Sequence, residues 1–244
     1  MSALLNVANL SVSRGNSILL SALNCDFHAG EVVVVLGPNG AGKSSLLLAL
    51  AGLLPAAGTI AFKQRPLSSF NRSELAKTIA WQGDLPPTEF GLTVQQRLEL
   101  AAGEESQSIE TTAASMDIAA LLHRPLGELS SGERQRTELA ALQLRDTPIW
   151  LLDEPTAHLD LKHQIHCIDM LREQRSKGRA IITVLHDLQQ AVAIADKLIL
   201  IDGRGGAEYG EANELFESCK LTELFAAPLT QQGNALVPDY GDKR

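Results

Sequence analysis

VVVVLGPNGAGKSSLLLAL, Val32 to Leu50, sets an apolar run against glycines, a lysine and two serines, and a second apolar run comes after them. The order predicts a strand, a phosphate loop and a helix. Gly37, Gly40 and Gly42 allow a tight turn that aims successive N–H groups at phosphate oxygens. Lys43 supplies a point charge beside the β and γ phosphates, Ser44 offers a hydroxyl to Mg²⁺, and the next helix directs its positive dipole end at the same anion. A glycine-rich turn in a doubly wound fold would account for the glycines but not for Lys43 and Ser44 together. The stretch is expected to bind a nucleotide.

Outward from this segment, composition sets the bounds. The 244 residues are 45% hydrophobic and 20% charged, enough to bury a full core in one or two compact units. The formal net charge of −8 argues against a nucleic-acid partner, which would need a basic face. Cys25, Cys167 and Cys219 are too scattered for a zinc or redox pair and suggest no disulfide framework, so a reducing compartment is expected. The opening MSALLNVANL lacks a basic segment followed by a long apolar one, and no signal peptide is read there. Leu46 to Leu54 is strongly apolar but too short to span a bilayer, and reads as a buried helix.

Residues 1 to 36 carry the runs LLNVANLSVS, SILLSALNCDF and EVVVVL, punctuated by Gly15 and Gly30, as expected of strands joined by short turns. TIAFKQRPL adds a strand-like piece ended by Pro66. From Asp84 the texture changes to Pro86-Pro87, a helical spacing of Val94, Leu98 and Ala101 within Thr93 to Ala102, and the polar run EESQSIETT. A small helical subdomain inserted over about residues 84–140 is expected. Strand and helix then alternate through IWLLDEP, a helix from Leu161 to about Lys177, AIITVLH, a helix from Asp187 to about Asp196, and KLILIDG. The chain reads as a single domain over residues 1–228, with residues 229–244 as a loose tail.

A second cluster lies in IWLLDEPTAHLD, Ile149 to Asp160. An apolar strand that ends in two carboxylates sets them at the edge of a parallel sheet, where open α/β folds bind ligands. Successive strand side chains point to opposite faces, so the two acids are expected to differ in task. Asp153 would hold the Mg²⁺ shell, and Glu154 would polarise the attacking water in line with the γ phosphorus. ELSSGERQR, Glu128 to Arg136, is a Ser/Gly turn entering a helix whose first N–H groups are free for an anion. The Gln82 amide can reach metal or water, and His186, closing AIITVLH, can bond a γ-phosphate oxygen. Taken singly, these three also read as a surface amide, a strand-end histidine and a helix cap.

Their order separates the readings. Phosphate loop, Gln82, LSSGE, Asp153-Glu154, TAHLD and His186 occur in the sequence order of an ABC-type ATPase, and the chain closely resembles that family's nucleotide-binding domain over about residues 4–226. The resemblance implies an α/β fold, a P-loop NTPase core with an N-terminal antiparallel β subdomain and an inserted α-helical subdomain. It implies ATP and Mg²⁺ as cofactors, with ATP held by Gly37, Pro38, Asn39, Gly40, Ala41, Gly42, Lys43, Ser44 and Ser45. Glu154, His186 and Gln82 form the implied catalytic set, and Ser44, Gln82 and Asp153 the implied magnesium set. Ser130, Ser131, Gly132 and Glu133 look like the family signature, which in the family reaches the γ phosphate held by a second protomer. Thr156 to Asp160 look like its D-loop. One phosphate loop and one signature per chain then imply a homodimer, or a pair with another such chain, around two ATP molecules. A monomeric kinase or GTPase shares the phosphate loop but gives no reason for LSSGE.

Three positions depart from the pattern. Ser131 stands where the family usually has glycine, and its Cβ narrows the backbone. Glu133 replaces a frequent glutamine. The aromatic that stacks on adenine would fall near Arg14, with no Phe, Tyr or Trp nearby; a guanidinium also stacks on a base, so modest discrimination between ATP and GTP is expected. A transport role would need separate membrane permease subunits docked on the cleft between the main sheet and the helical insertion, the junction where Gln82 sits, with a periplasmic or surface substrate-binding protein engaged indirectly. The chain would then lie peripherally on the cytoplasmic face of the plasma membrane. LGPNGAGKSSLL, TAHLDLKHQ and VLHDLQQAVAIADKLILID resemble ATPases of bacterial importers for iron chelates, haem and vitamin B12. A soluble ABC ATPase of iron–sulfur cluster assembly is the alternative; a non-hydrolysing module fits less well, because Glu154 and His186 are retained.

Overall fold

The computed structural model describes residues 3–15, 17–85, 91–102, 108–232 and 235–239. Two long strands, β1 (Leu5–Arg14) and β2 (Ser17–Phe27), pair antiparallel. After β3 (Val32–Leu36) and α1 (Lys43–Leu50) the chain returns to β1 as β4 (Ala57–Phe62) and turns into β5 (Arg65–Pro66), which gives an antiparallel sheet of order β2-β1-β4-β5. A capping box between Asn71 and Glu74 starts α2 (Arg72–Thr78), and β6 (Ile79–Gln82) comes next. The insertion contributes α3 (Val94–Glu99), α4 (Ile109–Ser115) and α5 (Ser131–Gln143). The Pro86-Pro87 turn and residues 104–107 of the polar run lie outside the described residues. Beyond the insertion lie β7 (Ile149–Asp153), α6 (Leu161–Ser176), β8 (Ala180–Val184), α7 (Leu188–Ile194), β9 (Lys197–Ile201) and β10 (Ala207–Glu211). The main sheet runs β10-β9-β3-β8-β7-β6, parallel throughout except for β10 at its edge.

Both faces of this sheet are covered, and that is why VVVVL has no polar residue. Val32, Val34 and Leu36 enter one core with the insertion and the later helices, whereas Val33 and Val35 enter another with α1 and the antiparallel sheet. β7 divides the same way, Trp150 and Leu152 against Ile149 and Leu151. A parallel strand buried on both sides reads as a continuous apolar run.

Two expectations change. The apolar helix expected over Leu46 to Leu54 stops at Leu50, because Gly52 takes a φ of 70° and the Leu53 N–H folds back to the Leu48 carbonyl; Leu53 is 62% exposed. The tail, expected to be loose, is paired over residues 229–232 and 235–238. After α8 (Ala212–Leu215) and α9 (Ser218–Phe225), β11 (Leu229–Gln232) and β12 (Ala235–Pro238) form an antiparallel hairpin. Leu236 is buried, and its carbonyl accepts a hydrogen bond from Gln189 on α7 at 2.7 Å. A sequence with few apolar residues conceals this because one buried side chain and main-chain pairing suffice. Residues 240–244 lie outside the described residues.

Candidate nucleotide site

Parallel strands end on a common edge, so β3, β6, β7 and β8 deliver the residues at their C-terminal ends to one place. Register makes this specific. Gln82 pairs with Leu152, Asp153 with Val184, and Val35 also with Val184, which brings Gln82, Asp153, His186 and the phosphate loop to neighbouring strand ends. Gly37 leaves β3 so close to β9 that a Cβ would stand 2.2 Å from the Ile201 carbonyl oxygen. Only glycine fits there. The Lys43 ammonium donates to the carbonyls of Gly37 (2.9 Å) and Pro38 (3.0 Å), folded under the loop it charges. Burial holds its pKa below the usual lysine value, and the carboxylates of Glu154 and Asp153 act in the opposite direction.

Asp153 is half-buried, and burial pushes its carboxyl up from the usual range; a hydrogen bond with the Ser44 side chain pulls down, and Glu154 and Asp84 push up further. Its Oδ1 has no hydrogen-bond partner, nor does the buried Oε1 of Gln82, whose Nε2 donates to the Gly83 carbonyl at 3.0 Å. Two buried, unpartnered oxygens beside a serine hydroxyl and an acid destabilised by its neighbours form a hard oxygen donor set. That chemistry fits a magnesium ion, which takes oxygen ligands and leaves room for phosphate. Glu154 has left the strand. Its φ of 52° is left-handed, and its Oε1 meets His186 Nε2 at 2.5 Å. The two acids therefore part company by a turn of the backbone, not by the strand alternation expected from sequence.

A cleft of about 610 Å³ is lined by Asn39, Gly40 and Gly42 to Ser45 of the phosphate loop together with Glu154, His186 and Arg14. Arg14 is exposed at the end of β1, where the resemblance puts a base contact. Ser17 and Leu19 of β2 line the same cleft. Sequence reasoning missed them, because nothing local in SILLSAL marks a strand that passes over a loop some twenty residues later. Ser130, Ser131, Gly132 and Glu133 are not part of that lining. They open α5, where Ser130 caps the Glu133 N–H and the Glu133 carboxylate accepts from the Ser130 N–H at 2.8 Å. That backbone bond is the first reason its carboxyl sits below the usual range. Ser131 is the first helical residue and is exposed, a position that accommodates a Cβ. A Cβ on Gly132 would instead lie 2.9 Å from the His158 carbonyl oxygen, so the start of α5 rests on residues 156–160. Asp160 closes that stretch as the N-cap of α6, accepting from the His163 N–H at 2.9 Å.

The family model described as ABC transporter matches residues 20–157. A hemin import ATP-binding protein, HmuV, of Streptomyces coelicolor is 36% identical over 230 residues, covering 90% of this chain and 82% of that protein. A petrobactin import ATP-binding protein, FpuD, of Bacillus anthracis is 31% identical, covering 92% and 87%. Among solved structures, a transporter assigned to the metal-chelate type, in an inward-facing conformation, superimposes with a TM-score of 0.79 at 25% identity over 98% of both chains.

Proposed function

This chain belongs to the ABC transporter family, and from that premise we propose that the ATP it binds and hydrolyses drives import of a metal chelate: an iron–siderophore, haem or vitamin B12. The relatives named for hemin and petrobactin import support that cargo class over iron–sulfur cluster assembly. Among the described residues no helix is long and apolar enough to cross a membrane. Separate permease subunits form the path, a reading supported by the relatives named as import ATP-binding proteins. A substrate-binding protein delivers cargo to them, and the chain sits on the cytoplasmic face of the membrane.

The arrangement at the sheet edge carries the reading of the chemistry: Lys43 beneath the phosphate loop, unpartnered oxygens on Asp153 and Gln82, and Glu154 against His186. The loop N–H groups from Gly37 to Ser45 and the start of α1 hold the phosphates, and Lys43 moves from its carbonyl partners to the β and γ oxygens. Ser44, Gln82 and Asp153 would hold Mg²⁺, which would supply positive charge to neutralise the phosphates. Glu154 takes the proton of the attacking water as general base, while His186 fixes the carboxylate and bonds the γ phosphate. Arg14 lies against the base. The signature residues Ser130 to Glu133, which do not line their own cleft, complete the site of a second protomer, with the D-loop through Asp160 at the same seam.

Affinity purification of the tagged chain from detergent-solubilised membranes of its source cell, with mass spectrometry of what accompanies it, tests the assignment. A polytopic membrane subunit is expected; recovery with soluble scaffold proteins alone would move the chain to cluster assembly.

A further inference from the structure

Thr156 is buried two residues beyond Glu154, and its Oγ1 donates to Gln190 Oε1 at 2.8 Å. Gln190 lies on α7, four residues after His186, and its Nε2 donates to Gln164 Oε1 on α6 at 3.2 Å. Gln164 Nε2 then donates to the Leu159 carbonyl at 3.1 Å, so the chain of bonds starts and ends in the D-loop. Its polarity is set at that end. A carbonyl only accepts, so Gln164 must present nitrogen to Leu159 and oxygen to Gln190, which leaves the Gln190 oxygen for the Thr156 hydroxyl. Asp187 caps α7 by accepting from the Gln189 and Gln190 N–H groups at 2.7 and 3.3 Å, which anchors the turn directly behind His186. From the other side, Gln135 of α5, the helix the signature opens, donates to the Pro155 carbonyl at 2.9 Å.

Glu154 and His186 are thus joined twice. One joint is their own contact at 2.5 Å, and the other is Thr156 to Gln190 between the same two segments. A left-handed, non-glycine residue such as Glu154 is held only where its surroundings over-determine it. We propose that Gln190 and Gln164 are positioning residues for hydrolysis: their relay locks the D-loop to the helix behind His186, so that the Glu154 carboxylate keeps its place over the attacking water when the D-loop meets the second protomer. The inference rests on the ATPase reading above.

The test is steady-state Mg-ATP hydrolysis by the full chain. Gln190→Met, Gln164→Met and Thr156→Val should each lower kcat about tenfold, with KM for ATP and nucleotide binding within about twofold of the parent. Thr156→Val combined with Gln190→Met should be no slower than the slower single variant, since both break one relay. Thr156→Ser keeps the hydroxyl donor to Gln190 and should recover most of the kcat lost in Thr156→Val at an unchanged melting temperature. Parental kcat in Gln190→Met and Gln164→Met, or losses that simply multiply in the double variant, would overturn the relay; with Glu154→Gln inactive, the ATPase reading would stand. Parental hydrolysis by Glu154→Gln would instead overturn the placement of the base on which the relay depends.

Discussion

Arg97→Met is the substitution whose cost can be worked most directly from the structure. Arg97 on α3 donates through two nitrogens to the carboxylate of Glu138 on α5, at 3.0 and 2.5 Å, and the side chains are 24% and 10% exposed. This is the bidentate pair that fastens α3 of the insertion to α5, the helix entered through LSSGE. Arg145 stands close by. Burial first, and then the Arg97 charge, hold its guanidinium below the usual arginine value, with Glu138 acting against them. Removing one partner of a buried pair costs about 3–5 kcal/mol. Partial exposure of Arg97 and the remaining cation at Arg145 reduce that to about 2–3 kcal/mol here. For a chain of this size, the melting temperature should fall by about 5–10 °C. Glu138→Leu should cost as much or more, since it leaves two guanidiniums facing each other. The double variant still leaves Arg145 without Glu138 but frees it from the Arg97 charge, so it should recover most of the loss of Glu138→Leu and return to within about 2 kcal/mol of the parent. Urea and thermal denaturation followed by circular dichroism read all three. Losses that add in the double variant, or a shift below about 1 kcal/mol in Arg97→Met, would refute the view that the pair matters because each charge shields the other from burial alone.

Glu154→Gln should keep ATP affinity, lower turnover by about a hundredfold or more, and accumulate as a dimer in Mg-ATP; a monomer that still hydrolyses on size-exclusion analysis would remove Glu154 as the base. Lys43→Ala should weaken nucleotide binding by roughly tenfold or more, measured by fluorescence titration, because a charge-assisted phosphate contact is lost; unchanged affinity would contradict its role. Arg14→Ala should lower ATP and GTP affinity together and modestly in competition binding, and a strong ATP preference that survives it would exclude stacking on Arg14. For the thiols, burial pushes Cys167 up to about 12 and Cys25 also well above the usual cysteine value, while Cys219 is exposed. A thiol-reactive dye at pH 8 should therefore label one cysteine in the native chain and three after unfolding, and rapid native labelling of three would contradict the packing.

The gathering of the phosphate loop, Gln82, Asp153 and His186 at one edge of the sheet is legible because each stands within a few residues of a strand end. What escaped reading depended on residues far apart in the chain. The alternation between two cores along β3 is invisible in VVVVL, because both faces are apolar. Pairing of β11 with β12 was missed because main-chain hydrogen bonds need no particular side chains. Glu154 parts from Asp153 through a left-handed backbone, which no residue type there demands, where the sequence leads one to expect strand alternation.

By itself, then, the sequence determined the strand, loop and helix around Lys43, the identity of the acids and the histidine, and the order in which they occur, because glycine conformation, charge and hydrophobic period are local properties. Tertiary structure alone decided that β2 closes one side of the cleft through Ser17 and Leu19, that the oxygens of Asp153 and Gln82 are buried without partners, and that Thr156, Gln190 and Gln164 join residues 156–159 to the helix behind His186. Strand register brings Gln82 beside Asp153, and packing of helices and of a second sheet brings the others together, although dozens of residues can separate the partners in the chain.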